Sequence, residues 1–145
     1  MLESPQILPT NKVVEVTRKR GAKLSLPEAF WRDLDQPNDH AAPYVYSNGH
    51  YHWVVRERGR ELEHRTTVDL DELLYWVFES ATFGLASEYE VRHRDKSADF
   101  RRLLFNHQLE LLGLIDLRWR ARCAARLNEV LVRHPFTDDG PRTIS

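Results

Sequence analysis

The stretch from Tyr51 to Leu74, YHWVVRERGRELEHRTTVDLDELL, decides the fold because its apolar residues change period part of the way along it. At its start, Tyr51, Trp53 and Val55 fall on one face of an extended chain, which is the pattern of a half-buried β-strand. An Arg-Gly-Arg turn at residues 58–60 then reverses the chain. After the returning strand, the apolar residues recur at helical spacing. The stretch therefore predicts an antiparallel hairpin that leads directly into a helix.

The residues on both sides extend this pattern. A short strand at 44–46 and a Ser-Asn-Gly turn precede the hairpin, so residues 44–67 predict a β-hairpin or small meander. Residues 69–134 predict three helices, which run from Leu70 to about His93, from Ala98 to Leu114 and from Leu117 to about Arg133. The predicted fold class is therefore α+β, with a small antiparallel sheet followed by a three-helix C-terminal half.

The N-terminal segment carries weaker signals. Five of the seven prolines lie within residues 1–50, and residues 1–43 are predicted to be loosely structured. The β-branched run Val13-Val14-Glu15-Val16 indicates a short strand, and Pro27 is well placed to open a helical turn through Phe30 and Trp31. At the other end, residues 137–145 are predicted to form a frayed tail. A length of 145 residues favours a single domain over residues 1–145.

The composition restricts the functional class. Lysine and arginine number 21 against 22 for aspartate and glutamate, which gives a net charge of −1. This lack of a basic excess argues against a general nucleic-acid binder. The single cysteine, Cys123, cannot form an internal disulfide, which fits a reducing cytoplasm. No apolar run approaches the 18 residues of a membrane span. We therefore expect a cytoplasmic protein with no membrane association.

One side of the first predicted helix is unusual because it mixes acids with aromatic rings. The side opposite the leucine-rich core stripe carries Glu72, Trp76, Glu79, Phe83 and Glu90. Rings supply contact area and acids supply selectivity, so this mixture is typical of a protein-binding surface. The alternative is that the hairpin covers this side. Three carboxylates buried without partners would be unfavourable, so we expect part of the face to reach solvent.

The charges are segregated along the chain. Residues 66–95 hold seven acids and two bases, a balance of −5, whereas residues 117–134 hold five arginines and one glutamate, a balance of +4. Opposite charges at the shared rim of antiparallel helices explain this most simply, and steering of a charged partner is the alternative. The basic residues include an arginine flank on the third helix, formed by Arg118, Arg122, Arg126 and Arg133.

The sequence contains none of the common catalytic or cofactor motifs. A Walker loop, GxGxxG, HExxH and CxxC are all missing from it. His50 and His52 would supply half of a metal site, but no third ligand is evident, so we predict no metal and no cofactor. His107 is expected to be a hydrogen-bonded core histidine. Gln108, beside it, is expected to satisfy a backbone group.

Several motifs resemble a known family when they are taken in order. They are the run from Tyr51 to Gly59, the Asp-Glu-Leu-Leu helix start at 71–74, Arg101-Arg102-Leu103-Leu104-Phe105, Gln108-Leu109-Glu110-Leu111-Leu112, Trp119 and His134-Pro135-Phe136. This order resembles the immunity protein 63 family of bacterial polymorphic toxin systems, over roughly the last two-thirds of the chain. The resemblance implies a cytosolic protein, encoded beside a toxin, that protects its cell by binding and blocking that toxin. It implies no catalytic pocket.

The resemblance and the helix faces together predict a toxin-binding surface. Its expected residues are Glu72, Trp76, Glu79 and Phe83 on the first helix, with Glu57 and Glu61 at the hairpin turn. Two alternatives of other classes remain open. One is a nucleic-acid-associated regulator that uses the arginine flank, and the other is a small enzyme with polar groups converging around His107 and Gln108. The oligomeric state is left open.

Overall fold

The computed structural model describes residues 6–138, and this part of the chain contains eight helices and strands. They are α1 (Thr10–Arg20), α2 (Glu28–Asp33), β1 (Tyr44–Ser47), β2 (Tyr51–Glu57), β3 (Arg60–Thr67), α3 (Leu70–Arg92), α4 (Phe100–Ile115) and α5 (Leu117–Arg133). The α+β class is confirmed, and the three C-terminal helices lie where the sequence predicted them. Of the two helices before the sheet, α2 was predicted as a helical turn and α1 was not predicted.

The residues cluster into two compact units, Met1–Phe78 and Glu79–Ser145. The first unit contains α1, α2, the sheet and the first turns of α3. The second contains the remaining turns of α3 with α4 and α5. The single domain expected from the chain length remains a prediction.

The sheet of the first unit is antiparallel, with the strand order β1-β2-β3. Trp53 of β2 lies opposite Val45 of β1 and Arg65 of β3, so these three side chains share one face. A two-residue turn joins β2 to β3, and both of its residues have positive φ, 52° at Arg58 and 76° at Gly59. This is the backbone twist that tight hairpins favour. The predicted meander at 44–67 is therefore confirmed.

The strand predicted at residues 13–16 is wrong, because these residues lie within α1. Val13 and Thr17 are the buried positions of this helix, one helical turn apart, and the Thr17 hydroxyl donates to the Val13 carbonyl oxygen at 2.7 Å. The helical turn predicted after Pro27 is confirmed as α2, with Pro27 at its N-cap position. Residues 1–43 are thus more ordered than predicted over the range that the structure describes.

The N-terminal segment is joined to the sheet by hydrogen bonds and by the core. The Leu8 amide donates to the Tyr51 hydroxyl at 2.9 Å, and the Ser47 hydroxyl donates to the Leu8 carbonyl oxygen at 2.7 Å. The core of this unit combines side chains from helices and strands, namely Val13, Leu34, Val45, Tyr51, Trp53, Leu73 and Val77. Residues far apart in the sequence therefore fill one apolar layer.

The second unit contains the antiparallel pair α4 and α5. Asp116 caps α5 through its carboxylate, and Trp119, Cys123 and Leu127 are buried on one stripe, as predicted. In α4 the buried residues are Leu104, Gln108 and Leu112. Phe100 continues the same i, i+4 line into the first turn of the helix, where its ring is 53% exposed.

The segment after α5 is attached to the beginning of α4. Arg101 donates to the carbonyl oxygens of His134 and Pro135 at 2.8 and 2.9 Å, and Asp99 accepts from the Thr137 amide at 3.0 Å. Asp138 accepts from the Arg102 guanidinium at 2.8 Å. The tail predicted to fray from residue 137 is therefore held as far as residue 138. The rest of that prediction, residues 139–145, lies outside the described residues.

Candidate partner-binding surface

The two carboxylates predicted at the hairpin are both exposed. Glu57 ends β2 and Glu61 follows the first residue of β3, on either side of the Arg58–Gly59 turn. Positive φ at both turn residues keeps the connection to two residues and so holds the two strand ends close together. Glu61 accepts a hydrogen bond from His64 Nδ1 at 3.0 Å. The turn thus presents two acids, of which one is held by a neighbouring imidazole.

The predicted residues of α3 that belong to the first unit are half-buried. Glu72 lies in the first turn, where a negative charge suits the positive end of the helix. Trp76 packs against the core of the unit. The guanidinium of Arg65 lies 5.8 Å from the Trp76 ring centroid and 4.8 Å from that of Trp53. A cation of the same unit therefore already lies over the Trp76 ring.

The predicted residues of α3 that belong to the second unit differ from each other. Phe83 is 49% exposed, which is high for a large apolar side chain. Glu79 accepts a hydrogen bond from Arg126 Nε at 2.9 Å, and its side chain is only 20% exposed. At this position, an acid of α3 and an arginine of α5 neutralise each other at a shared rim, as predicted. Glu79 is therefore engaged within the chain before any partner arrives.

Part of the acidic and aromatic side of α3 was expected to reach solvent, and Glu90 belongs to the part that does not. The residue is buried, at 2% exposure, and its two carboxylate oxygens accept from Arg94 Nε and Nη2 at 2.8 Å each. These hydrogen bonds hold the pKa of the Glu90 carboxyl below its ordinary value, against the opposing effect of burial. A bidentate partner one helical turn away allows the carboxylate to be buried, which the mixed helix face did not reveal.

The arginine flank is exposed on α5 and partly paired with acids. The Arg118 Nη2 group donates to the Asp116 carboxylate at 2.8 Å, and Arg126 is the partner of Glu79. At least two of the four arginines therefore already bind carboxylates of the same chain. A phosphate backbone would have to displace these carboxylates, which weakens the case for the nucleic-acid alternative.

The groups proposed for the enzyme alternative are occupied by packing contacts. Gln108 is buried, and its Nε2 donates to the Glu79 carbonyl oxygen at 3.0 Å, as predicted for a residue that satisfies a backbone group. His107 is half-buried and stacks on Tyr89 with ring centroids 3.8 Å apart. Neither residue lines the cavity of about 600 Å³ in this unit, whose described lining is mainly apolar and includes Leu109, Leu127, Leu131 and Phe136.

Within residues 6–138, no group of three or more histidine, cysteine, aspartate and glutamate side chains is arranged to hold a metal ion. Over the same range, no helix is long and apolar enough to cross a membrane.

Two side-chain arrangements of the sheet escaped the sequence analysis. One is the stacking of Arg65 on Trp53, and the other is a direct contact between His52 and His64, with 2.8 Å between Nδ1 and Nε2. Both pairs join β2 to β3, so they follow from the register of the two strands. The hairpin turn predicts that register approximately. The pairing shifts between Val55 and Arg56, because β3 has one extra residue there, Leu62, and no sequence signal marks this bulge.

A family model described as immunity protein 63 matches residues 47–129, which is more than half of the chain. The matched range contains most of the sheet, all of α3 and α4, and most of α5. No curated protein and no solved structure matches the chain.

Proposed function

The chain belongs to the immunity protein 63 family, and on that premise we propose that it binds a cognate toxin in the cytoplasm and neutralises it. The observation that carries the proposal is the extent of the family match. It spans residues 47–129 and so includes all six residues expected to contact the partner on α3 and the hairpin. Immunity by binding requires a surface, and no catalytic chemistry is needed.

The exposures of the candidate residues favour a larger contribution from the most accessible residues of each unit. Glu57, Glu61 and Phe83 are exposed, whereas Glu72, Trp76 and Glu79 are half-buried. Exposed acids suit a basic toxin surface, because opposite charges accelerate association. An exposed ring supplies apolar contact area of the kind that anchors interfaces. We therefore assign the main contribution to the exposed three and a supporting one to the others.

The test is protection from the toxin encoded beside this chain. Cells that express the toxin domain should survive only when the chain is co-expressed, and the two purified proteins should form a stoichiometric complex by calorimetry. Binding without protection would support partner recognition but refute neutralisation. If neither occurs, and a gel shift shows salt-dependent binding to nucleic acid, the arginine-flank alternative replaces this proposal.

The interface is tested by charge reversal at the hairpin. The double substitution Glu57→Lys and Glu61→Lys should leave folding nearly unchanged, because exposed charges contribute little, and should slow association with a basic toxin surface. The matched control is Glu129→Lys, compared with the single hairpin variant Glu57→Lys, since Glu129 is an exposed acid on α5 outside the predicted surface and both changes shift the net charge equally. Equal effects of the hairpin and control variants would show that only net charge matters.

The corresponding test on α3 needs a different choice of residue. The sequence alone favours charge reversal at Glu72 and Glu79. In the structure, however, a lysine at position 79 would repel Arg126 and break the ion pair between α3 and α5. Phe83→Ala removes an exposed ring and should leave the melting temperature within a degree or two of the wild type. Weaker toxin binding by this variant would place Phe83 in the interface, whereas unchanged binding would remove it from the proposed set.

A further inference from the structure

Two histidines of neighbouring strands meet on the sheet face that lies opposite Trp53. His52 Nδ1 and His64 Nε2 are 2.8 Å apart, which is a hydrogen-bonding distance, and the two rings are tilted by 58°. The ring of Tyr46, from β1, stacks on His52 with centroids 4.2 Å apart. All three strands of the sheet therefore contribute to this cluster.

The outer nitrogen of each ring also has a partner. His52 Nε2 lies 2.6 Å from Asn48 Oδ1, and His64 Nδ1 lies 3.0 Å from Glu61 Oε1. A carboxylate and an amide oxygen only accept hydrogen bonds, so both outer nitrogens must carry hydrogen. The contact between the rings needs one hydrogen more. Three hydrogens on two rings are one more than two neutral imidazoles hold.

The extra charge belongs on His64, because that ring contacts the carboxylate of Glu61. Burial lowers the pKa of His52, and the nearby His64 and His50 lower it further. His52 is thus the neutral ring of the pair. The titratable groups that face the pair are Tyr46 from β1, His50 from the β1–β2 turn and Glu61 from β3.

We propose that His52 and His64 bind one proton between them, and that this proton decides whether Asn48 accepts or donates in the network. In the protonated state, His64 donates from both nitrogens and His52 donates from Nε2 to Asn48 Oδ1. Without the proton, His64 keeps its hydrogen on Nδ1, since Glu61 can only accept. The ring contact then requires His52 to carry its hydrogen on Nδ1, and the Asn48 amide rotates so that its NH₂ group donates to Nε2.

The proton also changes how firmly Glu61 is held. The imidazolium adds a Coulomb attraction to the carboxylate that the neutral ring lacks, so the protonated ring holds Glu61 more tightly. Glu61 is one of the acids assigned to the toxin-binding surface. The consequence that a rising pH frees Glu61 for the partner rests on that proposed function, whereas the proton site itself does not.

A metal ion is the other cation that could lie between two imidazoles. Structural zinc sites use four protein ligands and catalytic sites usually three. Within residues 6–138, no third histidine, cysteine, aspartate or glutamate completes such a set around the pair. The distance between the two nitrogens also matches an N–H···N hydrogen bond, so the geometry favours the proton.

The experiment records long-range proton–nitrogen NMR spectra of the imidazole rings in the isolated protein between pH 5.5 and 8.5. We expect His52 to remain neutral while its hydrogen moves from Nε2 to Nδ1 as His64 loses the shared proton. Asn48→Asp, which can only accept, should keep the His52 hydrogen on Nε2 throughout, and the control His50→Gln should preserve the wild-type exchange of tautomers.

Two results would overturn the proposal. In one, both rings become charged together as the pH falls, or His52 keeps one tautomer at every pH. In the other, equimolar Zn²⁺ displaces the proton and shifts both inner nitrogens, which would assign the pair to a metal. No toxin is present in these measurements, so a negative result leaves the proposed function untouched. A failure of toxin binding likewise leaves the proton site intact.

Discussion

Replacing Asp99 by alanine should destabilise the second unit by about 2.5–4 kcal/mol, because one carboxylate there has two tasks. It caps α4 by accepting from the Arg101 amide at 2.9 Å. It also accepts from the Arg101 guanidinium at 2.9 Å and from the Thr137 amide at 3.0 Å. A lost N-cap costs about 1 kcal/mol, and hydrogen bonds to a charged group contribute about 1.5–3 kcal/mol.

Comparison with asparagine separates the two tasks. Asp99→Asn keeps an oxygen that can cap the helix but removes the charge that pairs with Arg101, so we expect roughly half of the loss seen with alanine. The matched control is Asp95→Asn in the same loop, where the exposed carboxylate accepts from the amide and hydroxyl of Ser97 and the change should be small. Urea titrations followed by far-ultraviolet circular dichroism give the three free energies of unfolding.

The pH dependence of stability provides an independent check on the charge. Hydrogen bonds from Arg101 place the pKa of Asp99 well below its ordinary value of 3.8, although burial opposes them. A carboxyl whose pKa is lowered by folding stabilises the protein above its unfolded pKa, and this contribution is lost as the pH falls through the folded one. The advantage of the wild type over Asp99→Asn should therefore be full at pH 6 and shrink steadily below pH 4. A loss under 0.5 kcal/mol for Asp99→Ala at pH 7, with an unchanged urea dependence, would refute the reasoning.

Three further predictions concern the core and metal independence. Trp119→Ala should lower the free energy of unfolding by about 3–5 kcal/mol in a denaturant titration, because the indole is only 2% exposed. Stability close to that of the wild type would mean that the buried stripe of α5 is misassigned. Gln108→Met should change the free energy of unfolding by less than about 1 kcal/mol, because the lost hydrogen bond is offset by removal of the buried Oε1, which has no hydrogen-bond partner. A loss above about 2 kcal/mol would show that the hydrogen bond to the Glu79 carbonyl oxygen dominates. EDTA should leave the melting temperature unchanged, and a decrease that zinc reverses would reveal a structural metal.

The parts of the fold that could be predicted are those whose signals are local. Asp116 and Pro135 fix the limits of α5, and the Arg58–Gly59 turn fixes the hairpin, so a few neighbouring residues suffice for each. The helix α1 was missed because its β-branched residues favour a strand, and because its N-cap, Pro9, makes no side-chain hydrogen bond. Its helical period was nevertheless present, since the buried Val13 and Thr17 are four residues apart.

The candidate surface was predictable as a composition but not as a geometry. The sequence showed that acids and rings alternate on one side of α3, and Phe83 is indeed exposed there. It could not show that Arg94 would bury Glu90 or that Arg126 would engage Glu79, since either arginine could equally have pointed to solvent. The second contact joins residues 47 positions apart, and only the packing of the helices determines it.

The hydrogen bonds and apolar contacts of the N-terminal segment bear on how this family could be trimmed. The range that matches the family model begins at residue 47, the last residue of β1. The core of the first unit also contains Val13 and Leu34, which precede that range. A fragment that starts at residue 47 would lose β1 and leave the apolar faces of Tyr51 and Leu73 open to water. Such a fragment should aggregate or require a substitute chain, and a peptide that spans residues 6–46, added in trans, should restore its solubility.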